Sequence, residues 1–503
     1  MDRRETTTSL KPIPAERFGY AEARHLLLRA GFGGTPDQIR ALVNMGPEAA
    51  VDLLLNDAPT ESFPDPTISE FSDGVIAELS REERMAYQLA RQNQDEEAIA
   101  EFRRRRTLME RSDRDQMRDM QRWWLARLIR SPRPLQEKMT LFWHGHFATS
   151  HRTIENSFQM FQQNLMFRRN ALGNFGDLLF GIIRDPAMIR YLNNDRNRKG
   201  APNENLAREI MELFSLGEGH YEEEDIKEGA RALTGYTVEG NAFIFNERVH
   251  DGGNKRILGA SGTLDGDDFV KAILARRACS EFLALKLYRY FVRHPSEDAP
   301  EDRTVQTVVR GIASELLRAR YNVKPALRTM LLSYHFYDPS NRGTQIKSPV
   351  ELVAGSVRSL ETPVRDLAVL NDALGLMGQQ LFFPPNVAGW AGGRTWINTS
   401  TLFIRQNVLN FLLTGKTPTG FDPLANMEAY DPTSLLRDLE RSDPGAQRDR
   451  AKVVRYLLAF TLGDQPSASR ESALMGFGGD RLTPDVLTGM LALITAMPEY
   501  QLC

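Results

Sequence analysis

The sequence predicts a mostly α-helical protein. A large multi-helix core over residues 15–415 carries short β elements and a long charged helical insertion at residues 78–122, between an N-terminal tail (1–14) and a small C-terminal helical appendage (416–503). Three observations carry this reading. Apolar residues recur at spacings of three and four along most of the chain, the signature of helices with one buried face. Only residues 241–246 (NAFIFN) alternate as a short strand does. From Glu78 to Arg130 the chain is dense in charge around a thin apolar stripe of Met85, Leu89, Ile99, Phe102, Leu108 and Met109.

Composition removes several function classes. With 41% hydrophobic and 26% charged residues, the 503-residue chain has the make-up of a soluble globular protein large enough to bury a sizeable core. A net charge of -3 lacks the basic excess of a nucleic-acid binder. Cys279 and Cys503 are too few for a disulfide framework or a cysteine-rich metal site. No apolar run approaches the roughly 20 residues that span a bilayer, so no membrane span is expected. Arg3 and Arg4 have no apolar stretch behind them, so the chain as written is expected to be cytoplasmic.

Residues 21–29, 37–45 and 48–54 read as short helices, with Thr35 as cap and Pro36 in the first helical position of the second. The turn Gly31-Phe32-Gly33-Gly34 has neither a preceding strand nor a P-loop lysine, which argues against a phosphate cradle. Within the insertion, Arg103 to Arg106 are surrounded by Asp95, Glu96, Glu97, Glu101 and Glu110, the pattern of a solvated, ion-paired face. Trp123, Trp124, Leu125 and Leu128 then return the helix to the core.

In PLQEKMTLFWHGHF (134–147) the helical spacing of Leu135, Met139 and Phe142 is expected to end at Gly145, between His144 and His146. Two histidines so spaced face apart on a helix but converge where the backbone leaves it. They are therefore candidate metal ligands, with His151 close behind. The competing reading is a pair of satisfied core histidines.

In residues 202–236, Leu206, Ala207, Ile210, Leu213 and Phe214 share a buried face, flanked by a seam of Asn205, Glu209 and Glu212, with Arg208 placed to pair with Glu212. A carboxylate held there must be paired, hydrogen-bonded or metal-bound. The plainer reading is a helical hairpin whose carboxylates bond to Arg208 and Arg231. His250-Asp251 puts two further metal-ligand types into a turn. Residues 379–405, with Phe382, Phe383, Trp390 and Trp396, form an aromatic, glycine-rich loop that either walls a pocket or plugs the core. A Pro- and Asp-rich linker from Thr417 leads to terminal helices at 448–462 and 483–496.

Several motifs, in order and spacing over residues 20–410, resemble one bacterial family of unknown function, numbered 1800. They are His25 to Arg29 with Gly31-Phe32-Gly33, Phe142 to Phe147, Asp185 to Met188, Asn203 to Glu209 with Glu212-Leu213-Phe214, Ala230 to Gly235, His250-Asp251, Lys347 to Glu351, and Pro385 to Trp390 with Trp396-Ile397-Asn398. The resemblance implies a mostly helical fold, frequent export, and a sulfatase-like protein encoded nearby as a partner. It implies no reaction. The missing signal peptide and His220 are departures from the family pattern.

The leading functional expectation is a metal-dependent hydrolase. His144, His146, Glu209, His250 and Asp251 would bind one or two divalent ions, and Glu212 or Glu204 would act as general base on a metal-activated water. Arg208, Asn205, Trp390 and Trp396 would bind substrate. No ligand pair has a diagnostic spacing such as Glu-x-x-His or His-Glu-x-x-His. The alternatives are a metal-free glycoside-acting enzyme using two carboxylates and a tryptophan platform, and a noncatalytic helical scaffold. An enzyme requires the clusters to converge on one reachable pocket, whereas a scaffold leaves them scattered and mutually satisfied.

Overall fold

Thr35 accepts a hydrogen bond from the Gln38 amide and the Gln38 side chain returns one to Thr35, which starts the helix Pro36–Met45 where the sequence places it. The same capping box at Ser348 and Glu351 starts Pro349–Leu360. The computed structural model describes residues 8–76, 81–294, 302–416, 428–463, 468–479 and 481–503. The start of the expected tail (1–7), of the insertion (78–80) and of the linker (417–427) lies outside them.

The charged stretch forms two helices, Arg81–Gln92 and Glu96–Arg130, joined at a turn where Gln94 has φ 53°. Arg104 pairs with Glu101, Arg106 with Glu110 and Arg105 with Glu83, while Tyr87 meets Phe102 edge-on at 5.2 Å. Met85, Leu89 and Leu108 stay exposed. In the longer helix, burial begins at Asp113. From there Met117, Met120, Gln121, Trp124, Leu125 and Leu128 face inward. One helix of 35 residues, about 50 Å long, is thus a solvated arm at one end and core at the other.

At the centre lies Pro134–His146, buried at every position except Gly145. A helix enclosed on all sides must neutralise its own charges. Glu137 accepts from Arg168 at 3.1 and 3.0 Å and from Arg127 at 3.2 Å, and Lys138 pairs with Glu351 at 2.7 Å. Among the described residues the strands form two hairpins. Tyr236–Glu239 pairs antiparallel with Ala242–Phe245, the expected strand, and Lys255–Ile257 pairs with Ala260–Gly262.

The C-terminal helices Arg450–Leu462 and Pro484–Thr495 are followed by a segment threaded back into the core. The amide of Lys347 donates to Gln501 O, that of Cys503 donates to Gln345 O, and Arg405 Nε donates to Gln501 Oε1 at 2.7 Å. Among the described residues no helix is long and apolar enough to cross a membrane.

Candidate functional site

The structure does not gather the residues that the sequence marks as metal ligands. The helix runs through Gly145 to His146, so the expected departure from helix at the glycine does not occur and the two rings point to opposite sides. His144 Nε2 accepts from Asn164 Nδ2 at 2.9 Å, between the rings of Trp124 and Phe167. His146 Nε2 donates to Phe214 O at 2.8 Å, among Phe142, Phe147 and Phe175, and its Nδ1 is buried without a partner among the described residues. Burial pulls both imidazoles far down, His146 to about 3, so both are neutral.

His250 Nδ1 donates to Thr234 O at 2.8 Å, while Asp251 accepts from Arg231 Nε at 2.8 Å and is pulled to about 2 by that bond. Arg208 pairs not with Glu212 but with Glu204 at 3.0 Å and Glu223 at 2.7 Å. Glu212 instead accepts from the Tyr221 hydroxyl at 2.8 Å. Glu209 is half-buried and its pKa is raised, first by burial and then by the charge of Glu212. The two lie on a continuous turn, because the helix Asn205–Glu209 widens into a π-helix at Ile210–Ser215. Asn205 is exposed, and its amide donates to Asn203 Oδ1. Trp396 is buried at 7% exposure, so it offers no platform to a sugar, and Trp390 is half-buried against Gly145. Among the described residues no three His, Cys, Asp or Glu side chains are grouped to hold a metal ion.

A different cluster lines a groove of about 670 Å³ between the long helix, the short helix His151–Ile154 and the helix Leu367–Leu376. Glu110, Asp113, Arg114, Met117 and Gln121 of the long helix face it at helical spacing. At its floor, His151 Nε2 and Asp113 Oδ2 are 2.6 Å apart, and Asp113 Oδ1 accepts from the Ser157 amide at 2.6 Å. Burial pushes the Asp113 carboxyl upward, but the hydrogen bonds from His151 and Ser157 outweigh it and hold the group below its ordinary value. It is therefore an anion, which fixes the imidazole as the Nε2–H tautomer when neutral. The other ring nitrogen, Nδ1, has no hydrogen bond among the described residues.

The far wall is held by strained backbone. Phe382 is fully buried at φ 65°, a conformation bulky side chains avoid. Its carbonyl accepts from the His151 amide at 3.0 Å, and Phe383 packs edge-on to the His151 ring at 5.4 Å. Gln121 Nε2 donates to Leu381 O, and Asn371 Nδ2 donates to Gln121 Oε1 at 3.1 Å. Such strain persists where surrounding structure over-determines it, and it concentrates at working sites. Asp113, Gln121 and Asn371 are absent from the sequence-based candidates. The available signal is an acid in line with Met117, Met120 and Trp124, at spacings of four, three and four, on the face that enters the core.

The family described as Protein of unknown function (DUF1800) matches residues 25–502 of the chain. The chain belongs to the DUF1800 family. No curated protein and no solved structure matches it.

In this DUF1800 chain, two motifs of the resemblance meet through glycines. Gly389 has φ 81°, and a Cβ there would collide with the Gly145 carbonyl, whereas a Cβ on Gly145 would meet only Trp390, at 3.6 Å. Gly389→Ala is therefore expected to destabilise by about 2–4 kcal/mol, combining left-handed strain with overpacking. Gly145→Ala should change stability by under about 1 kcal/mol in either direction. Urea denaturation of both variants checks the contrast.

Proposed function

We propose that the chain is a hydrolase whose active site is the groove, with His151 as general base and Asp113 as its orienting partner. The observation that carries this reading is the His151–Asp113 pair at 2.6 Å on the groove floor, with the second ring nitrogen uncommitted. Asp113 holds the proton on Nε2, so Nδ1 presents the lone pair. A water between Nδ1 and an electrophilic centre would give up its proton there as it attacks, and Asp113 would stabilise the resulting imidazolium. Among the described residues the lining has no hydroxyl, thiol or amine side chain, which favours water over a covalent serine, cysteine or lysine nucleophile.

The test is hydrolysis of p-nitrophenyl ester, phosphate and glycoside substrates by wild type, His151→Ala and Asp113→Asn, each verified as folded by circular dichroism. The expected result is turnover by wild type on one class, falling about 10²- to 10⁴-fold in His151→Ala. Equal rates in wild type and His151→Ala would overturn the assignment.

A second reading, the noncatalytic scaffold, is supported by the separation of His144, His146, His250 and Asp251 into distinct, internally bonded surroundings. It predicts no turnover on any substrate. The divalent-metal expectation has its own test, elemental analysis of wild type beside His144→Ala and Glu209→Ala, in which metal lost from both variants would tie those two residues to one site.

A further inference from the structure

We infer that the groove takes a small substrate bearing an anionic group and hydrogen-bond donors, the anion received by Arg114 and Arg152 and a donor by Asn371 Oδ1. This rests on the groove being the active site, and it adds the class of molecule that enters. Of the four arginines on the lining, Arg118 pairs with Asp115 at 3.0 Å and Arg122 with Asp119, both off the groove. Arg114 and Arg152 have no ion pair among the described residues and are exposed. Each adjoins a member of the dyad in sequence, one on the long helix and one on the short helix, so two guanidiniums flank His151 from different elements. Guanidinium is suited to carboxylate and phosphate because its fork of donors matches their oxygens.

The opposite wall asks for the reverse polarity. Gln121 donates its Nε2 to a backbone carbonyl, so its Oε1 must accept from Asn371 Nδ2, and this fixes the orientation of the Asn371 amide. Asn371 Oδ1 is then left buried with no partner among the described residues, on a residue only 7% exposed that lines the groove. A buried acceptor without a donor is rare, and one on a groove wall is matched by a ligand hydroxyl or amine. Asp372 beside it is a second acceptor on the same wall. Of the other carboxylates on the lining, Glu110 is paired with Arg106 at 2.7 Å, and the Arg106 charge also feels Glu155.

The test is isothermal titration calorimetry of the full chain with glucose 6-phosphate, glucuronate, inorganic phosphate and neutral glucose. Binding of at least one of the two hydroxylated anions, about tenfold or more tighter than glucose, is expected. Arg114→Gln and Arg152→Gln should each weaken it about ten- to a hundredfold, the worth of a hydrogen bond to a charged group. Asn371→Leu should weaken the hydroxylated anions and leave inorganic phosphate unchanged, and Arg104→Gln on the arm should change nothing. No binding of any probe, or the same affinity in the Arg114 and Arg152 variants as in wild type, overturns the inference. His151→Ala separates the two readings. Binding retained there, with wild type inert on every hydrolase substrate, defeats the catalytic assignment alone, and turnover without arginine dependence defeats this one alone.

Discussion

Glu351→Gln is expected to cost about 3–5 kcal/mol of stability at neutral pH, because it strands the Lys138 ammonium inside the core. Lys138 has no exposed side-chain surface. Its Nζ is held by Glu351 Oε1 at 2.7 Å and by the carbonyls of Gly31 at 2.9 Å and Leu28 at 3.1 Å. Burial pulls Lys138 below its usual range, and Glu351 is the first influence opposing that. Burial pushes the Glu351 carboxyl up, but the charges of Lys138 and Arg29 reverse this and hold it at about 2. A folded-state value depressed from 4.5 to about 2 gives stability that is present above pH 4.5 and lost as pH falls towards 2. That shift corresponds to roughly 3 kcal/mol, in line with the cost of removing one partner of a buried pair. Urea denaturation of wild type and variant at pH 7 and pH 3 measures it, with the gap expected to narrow at pH 3. Equal stability at pH 7 would mean that a neutral amide and the carbonyls of Gly31 and Leu28 hold the Lys138 ammonium as well as the carboxylate does, and would overturn the stranded-charge argument.

What the sequence discloses and what it hides divide by the range of the interaction. Caps at Thr35 and Ser348, the strand at 242–245 and the ion-paired face of the arm are local, and residues within four positions of each other determine them. The return of the long helix to the core at Trp124 is legible for the same reason. The end of the helix at Gly145 is misread because that glycine serves a contact with Gly389, which is remote in sequence, and not a turn. His151 is visible only as one more histidine beside His-Gly-His, since its partner Asp113 lies 38 positions away inside a run of charges. Asn371 and Gln121 are 250 positions apart, and neither carries any local mark of the other. The motifs of the resemblance admit two readings. Some of their polar groups, such as Glu351 on Lys138, serve the central helix, where enclosure demands hydrogen bonds and ion pairs whether or not the site does chemistry.

Asp185→Asn should remove a decline in stability that the wild type shows as pH rises from about 4 to 7. Asp185 is 5% exposed and caps the helix Pro186–Tyr191, its Oδ2 accepting from the Met188 amide at 2.8 Å and from Gln163 Nε2 at 2.7 Å. Burial raises its carboxyl to about 7, and no neighbouring charge contributes. The folded protein therefore holds a proton that the unfolded chain has released above its ordinary value of 3.8. Stability falls with rising pH across that window and levels off above about 7, by up to about 4 kcal/mol. Asparagine keeps the cap oxygen and imitates the protonated acid, so the variant should match wild type near pH 4 and exceed it at pH 8. Lys347 imposes an opposite slope, since burial lowers it to about 7 and stability then rises with pH above that point. Measuring the variant against wild type at each pH cancels the Lys347 contribution, which is the same in both chains. Denaturation curves that stay parallel from pH 4 to 8 would mean that the groups around Asp185 solvate its carboxylate as well as water does.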